Sequence, residues 1–282
     1  MSRAKVRQAR RTGASRRPPV APGKGASWPW MIVIVAVTGL VIGGFILADY
    51  LKKTSAVDEN TLCPLDGPKA AMAILLDLTD PVTPAQDRRL RTIIGGEIAR
   101  AEAGTMIAVG LVSEDPANWG ARFALCKPQE EANANPLIQN PKMIGERYND
   151  AFKVPFDTAL QTLLNAPTEM TSPIMESLQA LISDTPSIET VPGRRQLIIV
   201  SDLLQNSQVL SFYRNEFWDS FAQKGGTGRL SGNLTDVDVM LLRIPRPESK
   251  IDGDTRVDQF WLHYFDRQGT HAGFDLRTLG DL

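Results

Sequence analysis

"AAMAILLDLTDPVTPAQ", residues 70 to 86, sets the reading of this chain. From Ala70 to Leu78 it is apolar except at Asp77, as expected of a β-strand covered on both faces. Thr83 and Gln86 then stand at capping-box spacing, with Pro84 at the first helical position. Beyond them Leu90, Ile94, Ile98 and Ala101 recur at helical spacing. The stretch reads as a buried strand, a polar turn and a helix. The turn carries two acids, Asp77 and Asp80, with the hydroxyl of Thr79 between them.

The same grammar recurs downstream. "RRQLIIVSDLL", 194 to 204, is another apolar strand, and it too ends in Ser-Asp. "TMIAVGLVS", 105 to 113, and "DVDVMLLRI", 236 to 244, read as further buried strands. "ARFALC", 121 to 126, closed by Lys127 and Pro128, reads as an edge strand. "AGFDLRTL", from 272, gives a last short one. Helical patterns cover roughly 142–165, 172–183, 211–223 and 256–269, and 129–142 and 224–233 read as loops. Alternating strands and helices predict an α/β fold: a doubly wound, mostly parallel sheet with one antiparallel edge strand.

The chain of 282 residues has 31 basic and 32 acidic residues, but they are unevenly spread. Residues 1–27 hold Arg3, Lys5, Arg7, Arg10, Arg11, Arg16, Arg17 and Lys24 and no acid. That leaves 23 basic against 32 acidic residues elsewhere, a balance of about −9. Between the two parts lies "WMIVIVAVTGLVIGGFILA", Trp30 to Ala48, without a charge and about as long as the hydrocarbon core of a bilayer. Trp28, Trp30 and Tyr50 flank it as interfacial aromatics do. The expected organisation is a basic, disordered cytoplasmic tail (1–27), a single transmembrane helix (28–50) acting as signal anchor, a linker (51–67) and an extracytoplasmic domain (68–282). The positive-inside rule keeps the tail in the cytoplasm and puts the domain outside, in the periplasm if the anchor lies in a cell inner membrane. A cleaved signal peptide is the rival reading. The long n-region, the long apolar run and the lack of a small-x-small cleavage site disfavour it. Pro, Gly and Ser dilute the arginines, and no aromatic precedes Trp28, so nucleic-acid binding is not expected. Gly39 and Gly43 stand at GxxxG spacing, with Gly44 beside them, which suits close packing of helices in an oligomer.

In open α/β sheets ligands gather beyond the carboxyl ends of the strands, above all where strand order reverses. If their two strands are neighbours, Asp77 and Asp202 meet there. A close carboxylate pair captures a cation or takes up a proton, and hydroxyls nearby would complete an oxygen shell suited to Mg²⁺. Alternatively, such residues cap a helix or order a loop and bind nothing. Enzyme signatures are scarce. There are two histidines: His263 reads as packing among aromatics and His271 lies in a loop. No Gly-x-Ser-x-Gly, His-Glu-x-x-His or CxxC motif occurs, and "KGGTGRLSGN" lacks a P-loop ending. Phe212, Phe217, Trp218 and Phe221 read as a core-facing stripe.

With "LLDLTDP…TSPIMESLQAL…LIIVSDL" in this order, residues 68 to 280 resemble a von Willebrand factor A-type domain. The resemblance implies a metal-ion-dependent adhesion site. In it Asp77 matches the first acid, Thr79 the first hydroxyl, Ser172 the threonine before a middle helix and Asp202 the last acid. Two positions depart from the pattern: Pro81 stands where a second serine is expected, and Leu203 where glycine commonly follows the last acid. The implied site is therefore degenerate, with Mg²⁺ as its cofactor and Asp80 and Pro81 on a partner-binding loop. The same fold brings the end of the antiparallel edge strand, Cys126, to the start of the first strand, seven residues after Cys63, so a Cys63–Cys126 disulfide is expected. The function expected is protein binding, as a subunit of a cell-envelope assembly. A metal-assisted hydrolase using Asp77 and Asp202, or a scaffold working through its transmembrane helix, are the alternatives.

Overall fold

A computed structural model describes residues 28–54, 56–185, 188–270 and 274–280. The expected tail, residues 1–27, and His271 lie outside them. Helix α1 spans Trp28–Thr54, 27 residues. The side chains from Trp30 to Ile46 are exposed, and a Cβ added at Gly39, Gly43 or Gly44 would meet nothing within 4 Å. Among the described residues no helix is long and apolar enough to cross a membrane.

Residues Thr54–Leu282 form a second compact unit. Its elements alternate as the periodicity predicts. Strand β1 (Ala70–Leu76) leads to α2 (Pro84–Arg100), β2 (Thr105–Leu111) and β3 (Ala121–Cys126). Then come α3 (Pro141–Tyr148), α4 (Val154–Leu164), α5 (Ile174–Asp184) and β4 (Arg195–Ser201). Two short helices, α6 (Trp218–Gln223) and α7 (Gly226–Arg229), precede β5 (Val237–Arg243), α8 (Thr255–Asp266) and β6 (Phe274–Thr278). The capping box at the start of α2 forms in full, with Thr83 and Gln86 each bonding the other's backbone N–H.

The six strands run in the order β3-β2-β1-β4-β5-β6, all parallel except β3, which pairs antiparallel with β2. This is the expected sheet. The chain leaves β1 toward β2 on one side and later returns to β4 on the other, so the order reverses between β1 and β4. Every residue of β1 is buried. Ala71, Ala73 and Leu75 face a core shared with α5 and α8, and Met72, Ile74 and Leu76 face a second core shared with α2 and α4. Two-sided burial is why the strand is apolar throughout rather than alternating.

Some local readings need correction. The helix expected over 211–223 is broken: Phe212–Arg214 is a 3₁₀ turn, and Asn215 at φ 56° turns the chain before α6. Phe212 and Phe221 are nonetheless buried in the core, with Phe217 and Trp218 packed against it. The 142–165 pattern is one helical path carrying a π turn at Asn149–Lys153. That turn lies just before Pro155, a residue with no N–H to continue the ladder. Within the expected loop 224–233, α7 forms a single turn. His263 packs on an aromatic as expected, its ring 4.0 Å from that of Trp218, but on the exposed face of α8.

The expected linker also proves partly structural. Leu62 and Cys63 are buried, Val57 bridges Pro64, and Asp58 closes a turn by accepting from the Asn60 and Thr61 amides. Cys63 and Cys126 form the expected disulfide, with Cα atoms 4.8 Å apart across 63 residues of sequence. The Cys126 amide donates to the Thr61 carbonyl at 2.8 Å. The antiparallel direction of β3 carries Cys126 to the end of the sheet where β1 begins.

Candidate functional site

Because β1 and β4 are parallel neighbours, Asp77 and Asp202 emerge at one rim, at the reversal of strand order. The Asp77 amide donates to the Val200 carbonyl at 2.7 Å, extending the pairing one residue past β1. Asp77 is buried, and its carboxylate gathers the polar groups of three segments. Oδ1 accepts from the Thr79 hydroxyl at 2.8 Å and the Thr79 amide at 3.3 Å. Oδ2 accepts from the hydroxyls of Ser172 at 2.8 Å and Ser201 at 2.6 Å. Four donors match the roughly four acceptor positions of a carboxylate.

Ser172 is brought in from the other side. Its backbone exchanges two hydrogen bonds of 2.9 Å with Asn206, which joins the turn before α5 to the loop after β4. Gln205 reinforces that joint: its carboxamide accepts from the Met175 amide and donates to Glu176. The four residues expected to form the site, Asp77, Thr79, Ser172 and Asp202, are thus assembled at one place. Asp80 and Pro81 stand exposed beside them. A cavity of about 220 Å³ opens here, bordered by Thr79, Asp80, Glu169, Ser172, Asp202 and Tyr213.

Two residues were missed from the sequence. Ser201 was noted only as part of a strand-ending Ser-Asp pair, yet its hydroxyl reaches Asp77 and also accepts from the Leu203 amide at 2.7 Å. Arg246 was not considered at all. It is buried, and its Nη1 and Nη2 donate to the carbonyls of Pro81 at 2.5 Å and Asp80 at 3.2 Å. Its Nε lies 3.9 Å from Asp202 Oδ2, without a hydrogen-bond partner. The available signal was "RIPRP", 243 to 247: a basic residue held between two prolines just past a strand. What the sequence lacked was the knowledge that this strand, β5, lies beside β4.

Asp202 accepts from the Leu204 amide at 2.8 Å. Burial, then the neighbouring charge of Asp77, push its carboxyl up to about 7, against the opposing pull of that amide and Arg246. Leu203 adopts φ 67°, the left-handed conformation that explains why glycine suits this position. Its side chain is buried, and its carbonyl accepts from Trp261 Nε1 at 2.8 Å.

A divalent ion implied by the resemblance needs free oxygen lone pairs. Pro81 offers no hydroxyl, and Asp202 faces the Arg246 guanidinium. In this arrangement the residues do not fit the ion.

No protein-family model matches the chain, and no curated protein matches it. Among solved structures, the VWA domain of SpRpn10 is similar, with a TM-score of 0.40 and 11% identity, covering 76% of this chain and 89% of that one.

Proposed function

We propose that this chain is a membrane-anchored, VWA-like protein-binding module whose partner docks on the rim around Asp77, Ser172 and Asp202, at a degenerate adhesion site. One observation carries the reading: the rim is preorganised, with Asp77 holding three segments together while Asp80 and Pro81 remain exposed beside a small cavity. Rigid polar loops at a strand-order reversal favour recognition, because little ordering remains to oppose binding. Anchoring is supported by the uncharged stretch Trp30 to Ala48 and the acid-free basic residues before it, which also favour an inner-membrane location with the domain outside the cytoplasm. A place in an envelope assembly follows from that topology by analogy. Gly39 and Gly43 give the helix a face for self-association.

The test is capture of partners from membranes, with the wild type, an Asp80→Lys, Pro81→Glu variant and a chain whose 28–50 segment is exchanged for an unrelated membrane helix. Docking at the rim predicts loss of partners only in the rim variant. Loss only on helix exchange would favour the scaffold reading instead.

A further inference from the structure

We infer that Arg246 is the resident cation of this rim: its guanidinium holds the carbonyls of the Asp80–Pro81 turn and sets a permanent positive charge beside Asp202, at the edge of the place where a divalent ion would be sought. The inference deepens the docking proposal by making the site independent of metal. Three observations carry it.

Arg246 performs the tasks expected of a bound ion. It brings a permanent positive charge to a buried carboxylate, with Nε 3.9 Å from Asp202 Oδ2. It also binds two oxygens of the turn after β1, the carbonyls of Asp80 and Pro81. A hard cation would be held by such oxygens. The guanidinium supplies charge and directed donors together, fixing the turn as coordination would.

Its own position is constrained. Pro245 and Pro247 flank it, and its amide donates to Asp252 Oδ2 at 2.9 Å. Ile244, two residues earlier, donates to the Ser201 carbonyl at 2.9 Å, which ties this segment to the end of β4. With the backbone held on both sides, the buried side chain has little freedom to swing out.

The rest of the site is already satisfied. Asp77 accepts four hydrogen bonds from Thr79, Ser172 and Ser201, so its buried carboxylate is met by donors without an ion. Proline at 81 removes a metal-ligand hydroxyl while its carbonyl receives Arg246. The Pro81 departure, visible in the sequence, and Arg246, visible only in three dimensions, act at the same spot.

The experiment uses the full chain in detergent at pH 8, with Mn²⁺ as probe, read by electron paramagnetic resonance and by melting temperature in millimolar Mn²⁺ or Mg²⁺. Wild type is expected to bind no Mn²⁺ and to melt unchanged. Arg246→Met combined with Pro81→Ser, which frees Asp202 of the guanidinium and supplies the missing hydroxyl, is expected to gain bound Mn²⁺ and an upward melting shift. Arg246→Gln, which keeps a donor for the carbonyl of residue 81, takes the place of Arg246→Met in that pair if the Met variant does not fold. Pro81→Ser, with Arg246 intact, is expected to gain nothing. Bound Mn²⁺ in the wild type or in Pro81→Ser overturns the inference, as does a folded double variant that still binds none. Partner capture by the wild type is expected to be insensitive to EDTA; failure to capture any partner removes the docking proposal and leaves the Mn²⁺ result intact.

Discussion

The hydroxyl of Ser201, the last residue of β4, donates to Asp77 Oδ2 at 2.6 Å, joining the ends of the two strands between which sheet order reverses. Asp77 thereby acts as the acceptor on which three separate segments converge. Its removal strands several donors where water is excluded. Each buried unsatisfied group costs about 1–3 kcal/mol. Asp77→Ala is therefore expected to lose at least about 3 kcal/mol of stability in urea unfolding. Ser201→Ala should lose about 1 kcal/mol. A Ser172/Ser201 double-mutant cycle with no coupling would contradict a shared acceptor.

Asp202 predicts a pH dependence with a definite sign. Its carboxyl titrates near 7 in the folded chain, raised above the ordinary carboxylate value by burial and by Asp77. Between about pH 4 and 7 the folded state thus holds a proton that the unfolded state releases, and stability falls as pH rises through that window. Asp202→Asn cannot ionise and escapes the penalty. It should melt higher than wild type at pH 8, with the gap closing toward pH 4. A gap that widens on acidification would reverse the assignment.

The Cys63–Cys126 bridge closes a loop of 63 residues. In the chain-entropy account a loop of that size is worth about 4 kcal/mol. Cys126→Ala should lower the urea midpoint accordingly. Thiol titration of denatured, unreduced protein should find no free thiol, and two would refute the bridge.

Leu203 combines a left-handed backbone with a buried side chain. Leu203→Ala keeps the conformational penalty and opens a cavity, at a cost of about 2–5 kcal/mol. Leu203→Gly opens the same cavity but relieves a penalty of about 1 kcal/mol. The Gly variant should therefore be at least as stable as the Ala variant in urea, the reverse of the order found in strands and helices.

The element order was legible because its signals are local. Two-sided apolar runs, a Thr-Pro-x-Gln cap and helical spacing each concern residues within a few turns of one another, and all appear where the periodicity places them. Local signals failed where a single backbone conformation intervened, as at Asn215 within the expected 211–223 helix. They also failed in the 51–67 segment, where Leu62 and Cys63 are buried by contacts with distant strands.

For the site, the chain alone placed Asp77 and Asp202 at the ends of buried strands, where side chains have few places to go except the rim, and the resemblance added Thr79 and Ser172 to them. The fold decided what they do there. Ser201 turns toward Asp77 because β4 is the neighbour of β1, and Arg246 reaches Asp202 because β5 is the neighbour of β4. Strand adjacency is a long-range property, set by how the two hydrophobic layers close over the sheet, and no short pattern in the sequence encodes it. Hence the residues expected to cradle a metal could be read in one dimension, whereas the arginine that stands beside them became visible only in three.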